Sequence, residues 1–285
     1  MPYLHLQQKR IYYTDTKPKD GAVPKETFIF HHGLGSTHCY YQALIPTLTS
    51  PPNNIRCITY DAVGSGLSDL PKDDQSIQTL SDDVIEILAT LKVEKAVLVG
   101  HSFGGIVAAH LAAKNSDVII AAVLIGPVLP NPSLEKVFLA RAQTVDKEGM
   151  EAMGNTVPVQ GNVYRPIQAK PSTETTAATG SKSTSLQHAL IRTLLMSQRP
   201  QGYISLCRVV AFATPPDYES IKIPILTITS DEDKSAPLEG CEEIFRRIGG
   251  EEKKITVLEG VGHWHCIEAP DQVATKIMDF YREIQ

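Results

Sequence analysis

Ser102 lies in the run Leu98-Val99-Gly100-His101-Ser102-Phe103-Gly104-Gly105, a Gly-x-Ser-x-Gly pattern. An apolar, strand-like segment at 95–99 runs into it and a helix-like segment at 106–114 follows. That order builds a nucleophile elbow, a sharp strand-to-helix turn that holds a serine hydroxyl clear of the backbone. Gly100 and Gly104 lack a Cβ, so the tight turn can form and neighbouring backbone can approach closely. The helix that starts after Ser102 aims free N–H groups and its positive dipole end at any oxyanion formed there.

Serine is a poor nucleophile at its free pKa, so Ser102 needs a base, and the base needs an orienting acid. His263 is the leading base. It sits in Gly260-Val261-Gly262-His263-Trp264-His265, just past an apolar strand ending at Leu258, where glycines suit a loop folding over a sheet edge. His101 reads as structural, and His265 would serve only in a different loop register. His5, His110 and His188 read as surface or packing residues. For the acid, the strand Pro224-Ile225-Leu226-Thr227-Ile228-Thr229 ends in Ser230-Asp231-Glu232-Asp233-Lys234-Ser235-Ala236-Pro237. Asp233 is favoured, three residues past the small strand-end residue and four before Pro237, with Asp231 the alternative. The order Ser102, Asp233, His263 belongs to one particular sheet topology. An oxyanion also needs donors. Phe103 N–H follows the nucleophile, and Leu34 N–H is the second choice, in His31-His32-Gly33-Leu34-Gly35-Ser36, with Gly33 letting the backbone come near.

The elements that must position these residues alternate along the chain. Short apolar, β-branched runs at 27–31, 55–60, 95–99, 120–125, 223–229 and 254–258 predict strands, several of them buried on both faces. Residues 10–13 predict an additional antiparallel edge strand. Helices are expected at 40–49, 77–91, 103–114, 238–248 and 271–283. The fold class is therefore α/β, a mostly parallel central sheet flanked by helices. The alternation breaks between about Gly126 and Ser220. There, helices are expected at 133–146, 186–197 and 202–213, so the division is core at 1–126, helical cap at 127–220 and core again at 221–285. Within the cap, residues 172–185 hold nine Ser/Thr among fourteen and no large apolar side chain. Such a stretch cannot bury enough surface to offset its ordering entropy and reads as a mobile loop.

The 285 residues, 42% hydrophobic and 21% charged, suit one domain with an insertion. A net charge of −5 without long like-charge blocks argues against nucleic acid as a partner. Five scattered cysteines without a Cys-x-x-Cys pair fit a reducing compartment. Met1-Pro2-Tyr3-Leu4-His5-Leu6-Gln7-Gln8 lacks the apolar core of a signal peptide, no run is long enough to span a membrane, and the C-terminal Arg282-Glu283-Ile284-Gln285 matches no targeting address. The expectation is a cytoplasmic protein with no membrane partner. Gly64-Ser65-Gly66 lacks a third spaced glycine for a dinucleotide, and His31, His32, His38 and the His263-x-His265 pair lack linked carboxylates for a metal. Neither cofactor nor metal is expected.

Four motifs together carry a resemblance. His32-Gly33-Leu34-Gly35, Tyr60-Asp61-Ala62-Val63-Gly64-Ser65-Gly66-Leu67-Ser68-Asp69, Ser230 to Pro237, and Gly260–His263 followed by Glu268-Ala269-Pro270 resemble the oxyanion loop, post-strand turn, acid turn and histidine loop of the α/β-hydrolase superfamily. Ser230 stands where glycine is usual. Within the superfamily the chain is most similar to 3-oxoadipate enol-lactonase and its relatives. Arg141-Ala142-Gln143-Thr144-Val145-Asp146-Lys147-Glu148-Gly149-Met150 and Pro200-Gln201-Gly202-Tyr203-Ile204-Ser205-Leu206-Cys207 are similar to that family's cap helices. Val157-Pro158-Val159-Gln160-Gly161 stands where those lactonases tend to carry an Arg-Trp-Phe-like stretch. The resemblance implies a cofactor-independent serine hydrolase of a small ester or lactone, with an acyl-enzyme at Ser102. Carbon–carbon bond hydrolysis or a lyase reaction on the same residues, or a ligand receptor with little turnover, are the alternatives. The sequence leaves the substrate and the oligomeric state open.

Overall fold

The computed structural model describes residues 2–6, 9–114, 117–157 and 178–285. Among the described residues one sheet holds β1 (Tyr3–Leu6), β2 (Lys9–Thr16), β3 (Glu26–His31), β4 (Ile55–Tyr60), β5 (Ala96–His101), β6 (Ile119–Ile125), β7 (Ile225–Ser230) and β8 (Lys253–Leu258). Their spatial order is β1-β2-β4-β3-β5-β6-β7-β8. The pairs β1–β2 and β2–β4 are antiparallel, and every later pair is parallel.

β5 shows why the central run must be a strand. It is buried on both faces, and successive side chains go to opposite layers. Val97 and Val99 join Phe28 and Phe30 in one apolar layer, whereas Ala96 and Leu98 join Ile29 and Ile58 in the other. The first layer is closed by α1 (Ile45–Thr49) and by α10 (Pro270–Glu283), which follows the short α9 (His265–Glu268), through Leu48, Val273 and Ile277. The second is closed by α2 (Ile77–Thr90), α3 (Phe103–Ala113) and, after β7, α8 (Leu238–Arg247). α2 is started by a capping box, in which Ser76 Oγ accepts from Thr79 N–H and Thr79 Oγ1 accepts from Ser76 N–H. Its Leu80, Val84, Ile87 and Leu88 then fall on the buried face.

Between β6 and β7 the chain leaves the sheet for α4 (Pro132–Glu148), α5 (Met150–Thr156), α6 (Ser185–Met196) and α7 (Pro200–Ala211). This group rests on the loops of the core. A Cβ on Gly202 would meet Gly64 O at 1.9 Å, so α7 lies backbone to backbone on the turn after β4. Gln198 Nε2 donates to Ser36 O at 3.2 Å and Ser205 Oγ donates to Gln75 Oε1 at 2.8 Å.

Three details depart from the sequence reading. The strand expected at residues 10–13 is not an edge: β2 pairs with β4 on one side and with β1 on the other. β1 has only four residues, too short for its alternation of buried Leu4 and Leu6 to stand out. The helix expected at 40–49 is a 3-10 turn, His38–Tyr41, followed by α1, which restarts with Pro46 in its first turn. The helix expected at 133–146 continues to Glu148 and is followed by the unexpected α5, the two separated by Gly149 at φ +72°. Residues 158–161 and 172–177, on which two sequence readings fell, lie outside the described residues.

Candidate active site

The carboxyl ends of β3, β5, β7 and β8 converge on one edge of the sheet, and each carries one part of the candidate site. β3 is the central strand at which the order of connections reverses, with β4 on one side and β5 on the other. Ligand crevices form outside the strand ends at such a reversal.

Ser102 follows β5 directly at φ +58°, ψ −122°, a conformation that side chains other than glycine rarely adopt. Close packing imposes it. A Cβ on Gly100 would meet Gly104 O at 2.1 Å, and a Cβ on Gly104 would meet His31 O at 2.5 Å. The turn can close only with glycine at both places, and its closure lifts the Ser102 hydroxyl toward β8. There His263 Nε2 lies 2.9 Å from Ser102 Oγ, and His263 Nδ1 lies 2.8 Å from Asp233 Oδ2. An ionised carboxylate can only accept, so Nδ1 carries the proton and Nε2 offers its lone pair to the hydroxyl.

Asp233 is held from behind as well. Its Oδ1 accepts the N–H groups of Ser235 and Ala236, both at 2.8 Å. Its side chain is shut off from solvent. Burial raises its pKa, but the His263 and His265 imidazoles and the Ala236 amide outweigh that cost and bring the net value below the ordinary range. Asp231, the alternative acid, points elsewhere: its Oδ1 accepts Gly260 N–H at 2.7 Å and ties the loop after β8 to the loop after β7.

Leu34 and Phe103 belong to the two segments that adjoin Ser102. Phe103 opens α3, where the first-turn amides have no intrahelical acceptor. Leu34 follows Gly33, whose Cβ, were there one, would sit 3.0 Å from Ser102 Cβ, so this loop lies against Ser102. Neither amide donates to a backbone acceptor outside helices and strands among the described residues.

The structure thus brings Ser102, His263, Asp233, Leu34 and Phe103 to one place. It also reveals three residues that hold His263 and that sequence reading left without a role in the site. His101 Nε2–H and His265 Nδ1–H both donate to the His263 carbonyl oxygen, at 2.8 and 2.9 Å. Burial, with neighbouring imidazoles, pushes the His101 pKa well down; burial also lowers that of His265 against the pull of Asp233. Both rings are therefore neutral props. Glu268 is the third. Its Oε2 accepts Gly262 N–H at 3.0 Å and Gly180 N–H at 2.7 Å, and its Oε1 accepts Trp264 N–H at 3.0 Å. The signal for it was the Glu-Ala-Pro that follows the histidine loop, though nothing in that tripeptide says where the carboxylate points. No group of three or more His, Cys, Asp or Glu side chains among the described residues is arranged to hold a metal. No helix among them is long and apolar enough to cross a membrane.

A fold of this order, with a serine at a strand-to-helix elbow after β5, defines a class of protein. The chain belongs to the alpha/beta hydrolase family, whose model matches residues 28–276. It is 27% identical over 267 residues to 3-oxoadipate enol-lactonase 1 of Acinetobacter baylyi, covering 93% of this chain and 92% of that one. It is 28% identical over 143 residues to the putative carbamate hydrolase RutD of Agrobacterium fabrum; the match covers 49% of this chain and about half, 52%, of that relative. The enol-lactonase of Burkholderia xenovorans LB400 superimposes with a TM-score of 0.82 at 23% identity, over 99% of this chain and 100% of the other, a likeness of fold.

Proposed function

We propose that this chain is a cofactor-independent serine hydrolase of a small carboxylic ester or lactone, acting through an acyl-enzyme at Ser102. The observation that carries the reading is the hydrogen-bonded line from Ser102 Oγ through His263 to the buried Asp233 carboxylate. His263 Nε2 takes the Ser102 proton as Oγ attacks the substrate carbonyl. The N–H groups of Leu34 and Phe103 hold the oxyanion, each such donor being worth about 3–4 kcal/mol in the transition state. Asp233 keeps the proton on Nδ1 and stabilises the imidazolium. His263 then protonates the departing oxygen. In a lactone that alcohol stays tethered to the acyl group, and water activated by His263 releases the hydroxy- or keto-acid.

Helices α4–α7 act in this reading as a cap over the acyl pocket. A Cβ on Gly35, in the oxyanion loop, would meet Leu195 of α6 at 2.5 Å and Tyr203 of α7 at 3.2 Å. The likeness to an enol-lactonase over almost the whole of both chains, the helices between β6 and β7 included, favours a lactone among the possible substrates.

The test is turnover of a panel of short-chain aryl esters and small lactones by wild type and Ser102→Ala. Hydrolysis of at least one panel member, reduced on the order of 10⁴-fold or more by the substitution with the melting temperature unchanged, is the expected result. Cleavage of diketones alone, or tight ligand binding with no turnover, contradicts the reading, as does wild-type-like turnover in Ser102→Ala.

A further inference from the structure

A second nucleophile stands beside a histidine and a buried carboxylate, apart from Ser102. Cys39 lies in the 3-10 turn His38–Tyr41 and is exposed, whereas Cys57, Cys207, Cys241 and Cys266 are buried. Cys39 Sγ is 3.3 Å from His38 Nε2, and His38 Nδ1–H donates to Asp61 Oδ1 at 2.7 Å. The Asp61 side chain is closed to solvent and that of His38 is 14% exposed, so only the thiol end of the line faces outward. The connectivity repeats that of Ser102, His263 and Asp233, with sulfur in place of oxygen.

The fold holds the carboxylate in place. Asp61 Oδ1 also accepts His38 N–H at 2.7 Å, and Oδ2 accepts Leu67 N–H at 2.9 Å. The turn closes over it at Gly66, where φ is +48° and an added Cβ would stand 2.3 Å from Asp61 Oδ2. From β2 the Tyr12 ring packs on His38, with centroids 4.8 Å apart. From the loop after β3 the neighbour is His32, whose Nδ1–H donates to Gly33 O at 2.8 Å and whose Nε2 accepts Ala62 N–H at 3.0 Å. Both nitrogens being committed in that sense, His32 stays neutral beside the pair. Burial works against a charged His38, but its bonds to Asp61 and Cys39 outweigh it and push the pKa up to about 9. The bond to His38 draws the Cys39 thiol below its ordinary value, against a smaller effect of burial.

We propose that Cys39, His38 and Asp61 form a modification site, independent of Ser102, at which Cys39 reacts with low-molecular-weight disulfides. Cys39 passes its proton to His38 Nε2, and the thiolate attacks one sulfur of the disulfide. A new S–S bond forms to Cys39 as the old one breaks. The departing sulfur leaves with the electron pair and takes the proton back from His38. A protein thiol and a small disulfide become a protein mixed disulfide and a small thiol, with no further oxidant. The four other cysteines are buried and their thiols are pushed up by burial, so none competes as nucleophile.

The experiment is the pH profile of iodoacetamide alkylation at Cys39, read by peptide mass spectrometry, together with incubation of the folded protein with oxidised glutathione. The alkylation midpoint is expected below the value of about 8.5 of a free cysteine. His38→Asn should return it to about 8.5 and slow alkylation at neutral pH roughly tenfold. Glutathione should attach at Cys39, not at all in Cys39→Ser, and equally well in Ser102→Ala, which keeps this result separate from the hydrolase reading. A wild-type midpoint at or above about 8.5, an unshifted profile in folded His38→Asn, or glutathione on a buried cysteine instead of Cys39 overturns the proposal. The wild-type profile decides by itself if His38→Asn does not fold.

Discussion

The two aspartates of the loop after β7 accept from different partners, and that difference divides their roles. Asp233 receives the imidazole proton-bearing nitrogen of His263 at 2.8 Å, whereas Asp231 receives only the Gly260 amide at 2.7 Å. Asp233→Asn should leave the fold in place but remove the charge that selects the His263 tautomer, lowering kcat on the order of 10³- to 10⁴-fold. Asp231→Asn keeps an oxygen acceptor for Gly260 and should hold kcat within about threefold, below the 10²-fold minimum expected of a lost catalytic group. Steady-state kinetics of the two variants on one ester substrate checks both statements. Comparable losses in the two would reassign the acid.

At the scale of elements, the histidine loop depends on groups that bind backbone. Glu268 gathers the N–H groups of Gly180, Gly262 and Trp264 on one carboxylate. Leaving a buried donor unpaired costs about 1–3 kcal/mol. Glu268→Ala should therefore lower stability by at least about 2 kcal/mol and reduce kcat more than it alters KM, because His263 is displaced from Ser102 while the pocket remains. Urea unfolding and initial-rate kinetics together test this; unchanged values in both would show that the loop holds itself. The contrast with Ser102 explains what was legible in the sequence. Gly100 and Gly104 are spaced by a steric demand that any strand-to-helix elbow must meet, and β6 is a continuous apolar run of strand length, so both could be read from residue types. The bond of Glu268 to Gly180 and that of His101 to the His263 carbonyl join segments distant in sequence, and no local pattern encodes them. β1 escaped for a different reason: Tyr3-Leu4-His5-Leu6 is too brief to distinguish alternation from chance.

Across the whole molecule the site is built on imidazoles that the fold keeps uncharged. His31, His32, His101 and His265 are buried, and burial lowers the pKa of each; for His31 the value falls to about 3. An unfolded chain binds a proton at each of these rings below about pH 6.5, and the folded chain does not. Stability is therefore present above about pH 6.5 and is lost as the pH falls toward the folded values, His31 alone contributing about 1.4 kcal/mol per pH unit down to about 3. Thermal melting between pH 7 and pH 5 should show a steadily falling midpoint; a flat profile on that side would contradict the assignment of neutral rings. The same neutrality leaves His263 as the one imidazole aligned between the Ser102 hydroxyl and a carboxylate, and on that alignment the functional reading rests. Its most direct test is reaction of the folded protein with a fluorophosphonate probe, with the adduct mapped by peptide mass spectrometry. The account predicts a single adduct on Ser102 that is lost in His263→Ala. No adduct on a folded sample, or labelling of Ser102 that His263→Ala leaves unchanged, would contradict it.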